Sequence, residues 1–165
     1  EEGVPLNGVV EQVDQGLAVH RRYLDGDGKE IPDGTVRQGD IVQVELRLSA
    51  SRTLSNLVIT DLLPAGLEVE NPRLSPQVKL PPRAKGSAKA SGPAQIVTAH
   101  MDIRDDRVIL YVPSFRGEGV YRYVARAVTM GDFMVPMVAA ESMYEPGVYS
   151  RSGSGRLIVG DKKGE

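Results

Sequence analysis

The chain has 165 residues, 20 of them Lys or Arg and 22 Asp or Glu, giving a net charge of −2. That length suits one domain with a sizeable core, and the near-neutral balance supplies no global field to recruit nucleic acid or anionic lipid. The absence of cysteine excludes disulfides, thiolate nucleophiles, iron–sulfur clusters and cysteine-based zinc sites, while leaving the compartment open.

Glu1 and Glu2 are the wrong chemistry for the basic start of a signal peptide. No apolar run approaches the roughly 18–20 residues that cross a bilayer, so the chain reads as a soluble domain. The first predicted strand runs from Gly16 to Leu24, followed by turn signals at Asp25-Gly26-Asp27-Gly28, Asp33-Gly34 and Gly39-Asp40. In Ile41 to Leu48, Val42, Val44, Leu46 and Leu48 share one face, with Gln43, Glu45 and Arg47 on the other. This is the alternation of a half-buried strand, with the second set on its wet side. Leu57 to Asp61 is the next strand, closed by a turn at Pro64-Ala65-Gly66.

From Asn71 to Met101 there is no acidic residue, whereas Arg73, Lys79, Arg83, Lys85 and Lys89 are basic. The part around 79–92 has almost nothing to bury, so it is predicted to be a mobile insert. No aromatic is interleaved to stack on bases, which argues against a nucleic-acid arm. Strands are predicted at Ile96 to Ile103 and Arg107 to Val112, with Asp105-Asp106 as the β-turn between them. After a turn at Gly117-Glu118-Gly119, Val120 to Arg126 alternates again, its arginines on the wet side or snorkelling over the edge. Gly155 to Val159 is the last strand, and 161–165 reads as a frayed tail. With 18 glycines and 11 prolines spread along the chain, no long helix has room. The expected fold is an all-β antiparallel sandwich formed by residues 1–165 as a single domain. Val42, Val44, Leu46, Leu57, Ile59 and Val108 are expected in its core.

Catalytic constellations are not legible. Asp25-Gly26-Asp27-Gly28 resembles the start of a calcium loop, but the sixth position is Glu30 rather than glycine and the twelfth is Val36 rather than glutamate. His20 and His100 lack any zinc-ligand spacing. No Gly-x-Ser-x-Gly elbow accompanies a serine, and Ser152-Gly153-Ser154-Gly155 lacks the Gly-Lys-Ser/Thr ending of a phosphate loop. The expectation is a non-enzymatic domain needing neither cofactor nor metal. The segment from Phe133 to Tyr149 is different. An apolar stretch leads into Glu141-Ser142-Met143-Tyr144-Glu145-Pro146-Gly147, where Pro-Gly marks a loop tip. Met143 and Tyr144 beside that tip are amphipathic contact residues; either they meet another surface, or Tyr144 folds back over its own core.

The run Tyr121 to Phe133, then Val135-Pro136, then Ala140 to Val148 resembles the C-terminal signature of bacterial alpha-2-macroglobulins. That signature is a Tyr-Arg-hydrophobic-Arg-Ala-Val-Thr-Pro-Gly-x-Phe run, a Pro-rich strand, and Glu-Ala-Met-Tyr-x-Pro. Gly16-Leu17 to Tyr23, Gly39 to Val42 and Asp61 to Glu68 are similar in the same order, so the resemblance spans about Gly16 to Val159. Met130 stands where proline is usual and Ser142 where alanine is usual. The resemblance implies a macroglobulin-like, immunoglobulin/fibronectin-like sandwich at the C-terminal end of a much larger protease inhibitor. Such a parent is periplasmic and attached to the membrane only through a distant lipid anchor. Its implied partners are the thioester domain and other domains of the same polypeptide, and target proteases indirectly. The resemblance also implies that Met143 and Tyr144 shield the thioester, an activated acyl group that excluded water protects from hydrolysis. The other open reading is an adhesive or ligand-binding β-module of a bacterial surface protein.

Overall fold

A computed structural model of the chain describes residues 11–70 and 93–161. The basic segment around 79–92, and the tail after 161, lie outside these residues. The described residues form twelve strands and no helix: β1 (Val13–Gln15), β2 (Ala18–Leu24), β3 (Thr35–Arg37), β4 (Ile41–Leu62), β5 (Leu67–Val69), β6 (Ala94–Gln95), β7 (His100–Ile103), β8 (Arg107–Ala127), β9 (Gly131–Val135), β10 (Val138–Ser142), β11 (Tyr149–Arg151) and β12 (Gly155–Gly160). The all-β antiparallel class expected from the alternation is thus the observed one.

The framework is a pair of very long antiparallel strands. Two runs read separately from the sequence, Ile41 to Leu48 and Leu57 to Asp61, belong to the single 22-residue strand β4. Likewise Arg107 to Val112 and Val120 to Arg126 are both parts of β8. A straight strand of 22 residues would span about 70 Å at roughly 3.3 Å per residue, far more than a domain of this size can accommodate. The pair therefore bends: its register shifts between Ala50 and Leu54, and Gly117 adopts a φ of 81°. Gly117-Glu118-Gly119 is consequently a bend inside a continuous strand rather than the chain-reversing turn expected from its composition. A β-bulge accommodates such a bend without ending the ladder.

The bend divides the nine-stranded sheet into two faces of a sandwich. On one side β2 and β5 flank residues 41–50 of β4 and 117–127 of β8. On the other, β1, β11 and β10 extend outward from residues 57–61 of β4, and β7 pairs with β8 at 108–111. Asp61 from the second limb of β4 touches Arg21 of β2 and Tyr123 from the opposite limb of β8, which joins the two limbs face to face. Between them lie Val42, Val44, Leu46, Leu57, Ile59 and Val108, all with no accessible surface, as the alternation predicts. A small sheet in the order β3-β12-β9 completes the domain. Two pairings are parallel, β3 with β12 and β6 with β8.

Two further differences have local causes. The strand expected over Ile96 to Ile103 is interrupted at 96–99. Here the chain crosses from one limb of β8 to the other: the Ile96 amide donates to the Val120 carbonyl and the Ala99 amide to that of Tyr111. Gln43 and Glu45, expected on a wet face, are buried at 5% and 0% exposure. Gln43 donates to the Gly26 carbonyl at 3.1 Å, and Glu45 lies beneath arginine side chains.

Candidate functional loop and buried charge clusters

Met143 and Tyr144 sit in the connection between β10 and β11. β10 is anchored on the second limb of β4, with Ala140 opposite Ile59 and Ser142 opposite Leu57. The turn is closed internally: the Ser142 amide donates to the Val148 carbonyl at 3.0 Å, and the Val148 amide to the Glu145 carbonyl at 2.9 Å. It is also tied to the bend of β4. The Met143 amide donates to the Asn56 carbonyl at 3.0 Å, and the Ser142 hydroxyl faces the Ser55 carbonyl at 3.4 Å. Asn56 holds a left-handed φ of 53°, a region asparagine tolerates better than most residues. Arg52, also in the bend, forms an ion pair with Glu145. Met143 is 55% exposed and Tyr144 74% exposed. Tyr144 therefore does not fold back on its own core; it projects from a braced hairpin tip.

The other residues weighed for chemistry are dispersed. His20, on β2, lies 3.4 Å from the Gln12 side chain, while His100, on β7, packs against the Tyr111 ring at 5.8 Å. The Asp25 carboxylate accepts backbone hydrogen bonds from Asp27 and Lys29 at 2.9 and 2.8 Å, the use a tight turn makes of aspartate. Asp105 and Asp106 occupy the β7–β8 turn, where the Arg104 amide donates to the Arg107 carbonyl. Among the described residues no group of three or more His, Asp and Glu is arranged to hold a metal ion.

Sequence reasoning passed over two charged clusters. Glu45 accepts hydrogen bonds from Arg22 at 2.6 Å, Arg47 at 2.7 Å and Arg122 at 2.7 Å. Burial pushes its carboxyl up, but the three guanidiniums outweigh that and hold it at about 2. Inside the sandwich, Arg21 pairs with Asp61 and donates to the carbonyls of Leu62 and Pro136. The Tyr123 hydroxyl donates to Asp61 at 2.6 Å. Burial pushes the Asp61 carboxyl up against the pull of Arg21. Both carboxylates have no accessible surface, and each of their oxygens accepts from at least one donor, an arrangement that ties strands together. The signal was present in the parity: Asp61 is in phase with Leu57 and Ile59, and Arg21 with Leu17 and Val19.

An all-β sandwich built on a bent β4–β8 pair is the fold of the macroglobulin-type domains in solved bacterial alpha-2-macroglobulins. The chain belongs to the family described as the bacterial alpha-2-macroglobulin MG10 domain, whose model it matches over residues 16–147. It is 35% identical to the alpha-2-macroglobulin of Pasteurella multocida over 92% of this chain, and spans 7% of that relative's length. Escherichia coli alpha-2-macroglobulin activated by porcine elastase superposes with a TM-score of 0.76 at 31% identity, over 90% of this chain and 13% of that one. Salmonella alpha-2-macroglobulin reacted with methylamine gives a TM-score of 0.72 at 30% identity, over 92% of this chain and 10% of that one. Of the two readings the sequence left open, the first has the right protein family.

Proposed function

We propose that this domain is a non-catalytic, C-terminal part of a protease inhibitor of the cell envelope. In this reading its Met143–Tyr144 loop covers a thioester carried by another domain of the same polypeptide until a protease cuts the parent. The observation that carries the proposal is the exposure of Tyr144, 74%, on a loop braced by backbone hydrogen bonds. A large aromatic left in water on an ordered tip is a contact residue awaiting a surface. Support also comes from two relatives, one solved after activation by elastase and one after reaction with methylamine.

The chemistry explains the choice of side chains. A thioester joins a cysteine sulfur to a glutamine-derived acyl carbon. Water or an amine attacks that carbon, the carbon–sulfur bond breaks, and the thiolate leaves. An aromatic plate and a thioether exclude water while offering no amine to be acylated. The test uses full-length parent protein, uncleaved, incubated with methylamine. Tyr144→Gly is expected to accelerate methylamine incorporation and to reduce later cross-linking to a protease. Thermal stability should change little, because truncating an exposed loop side chain rarely perturbs a fold. An unchanged rate of incorporation in the Tyr144→Gly protein would remove the shielding role.

A further inference from the structure

Resting on the shielding role just proposed, we infer that Arg52 is a positioning residue: through Glu145 it holds the Met143–Tyr144 loop in its covering geometry, which makes the cover an electrostatically latched one. Three features of the bend in β4 converge on this loop. The ladder with β8 lapses between Ala50 and Leu54, which frees residues 51–53 from cross-strand pairing. Arg52 lies within that lapse and spans 93 residues of sequence to reach Glu145, with both guanidinium Nη atoms directed at its carboxylate. Asn56 takes a left-handed backbone conformation and presents its carbonyl to the Met143 amide. The loop is thus gripped on each side of Tyr144, by a backbone hydrogen bond at Met143 and by a two-pronged ion pair at Glu145. A guanidinium matches a carboxylate in plane and in spacing, so this contact sets direction as well as distance.

The position of the pair gives it a second property. Arg52 is 53% and Glu145 42% exposed at the side chain, so solvent and salt reach both. An exposed pair of this kind contributes modestly and is weakened by ionic strength. The backbone hydrogen bond keeps the loop in place when the ion pair opens, and the aromatic cover loosens without the domain unfolding. A nearby charge on an arriving partner could compete for either member, and the latch would then release at that contact.

The experiment compares four full-length, uncleaved parent proteins: wild type, Tyr144→Gly, Arg52→Glu, and the exchange Arg52→Glu with Glu145→Arg. Methylamine incorporation is followed at low and at high salt, with a thermal melt of each protein alongside. Tyr144→Gly should be fast at every salt concentration. Arg52→Glu should be about two- to fivefold faster than wild type at low salt, the range an exposed pair supports, with the difference shrinking at high salt. The exchange should return the rate toward wild type, and all four melts should agree closely. If Tyr144→Gly is fast while Arg52→Glu matches wild type, the latch is wrong and the cover stands. If Arg52→Glu is fast but the exchange does not restore it, Arg52 acts through the bend itself and the latch is again wrong. If Tyr144→Gly behaves as wild type, or neither protein takes up methylamine, the cover fails and the latch falls with it.

Discussion

At the scale of single residues, Glu45 is the most informative side chain. It has no accessible surface, yet it lies on the outer side of its sheet, where three guanidiniums replace water as its solvent. Such a carboxylate is stabilised by charged hydrogen bonds that strengthen once water is excluded. The consequence for pH follows from its titration. In the folded domain the group titrates near 2, against an ordinary value of 4.5. As pH falls below that ordinary value, the unfolded chain takes up this proton before the folded one does. The stabilisation is therefore complete above about pH 4.5 and is lost progressively toward pH 2. Denaturant unfolding between pH 7 and pH 2 checks this: the wild type should lose stability over that window more steeply than Glu45→Gln, which lacks the group.

Between elements, the decisive contact is the ion pair of Arg21 with Asp61. It joins β2 to the second limb of β4, and Tyr123 joins the same carboxylate to β8. A buried pair adds little net stability against an apolar replacement, but removing one partner leaves an uncompensated charge in the core. Asp61→Ala is therefore expected to cost about 3–5 kcal/mol. The double replacement Arg21→Met with Asp61→Leu should recover most of that loss, measured by denaturant unfolding. Recovery would separate the cost of an orphaned charge from any intrinsic need for the pair. What the pair does supply is alignment: a β4 that slipped by one residue would turn Asp61 away from Arg21 and bring Thr60 or Leu62 to that place.

For the whole molecule, the relevant fact is that the chain spans 7–8% of the curated Pasteurella multocida and Escherichia coli relatives. On the shielding role proposed above, the exposed Met143 and Tyr144 are the face that a neighbouring domain of the parent would cover. In uncleaved parent protein Met143 should react slowly with peroxide, and cleavage by a protease should speed its oxidation. Peptide mass spectrometry before and after cleavage measures this. Equal rates in the two forms would mean that the loop faces solvent throughout, against the shielding role.

The sequence by itself determined the class of the fold, the inward residues of the major strands and the presence of a loop tip at Pro146-Gly147, while the exposure of Tyr144 there was left to the structure. These rest on period-two alternation and turn chemistry, which act between near neighbours in the chain. The resemblance that singled out Met143 and Tyr144 was likewise local and ordered. Only tertiary structure decided that four predicted strands are two, because a strand end and a strand bend carry the same glycine signal and differ in whether the ladder continues across it. It alone decided that Glu45 is buried, since a residue on the wet side of its own strand is covered by arginines from β2, β4 and β8. The contacts of Arg52 with Glu145 and of Arg21 with Asp61 cross 93 and 40 residues of sequence. No local pattern encodes such distances; the pairing of β2 and β10 on the bent β4 creates them.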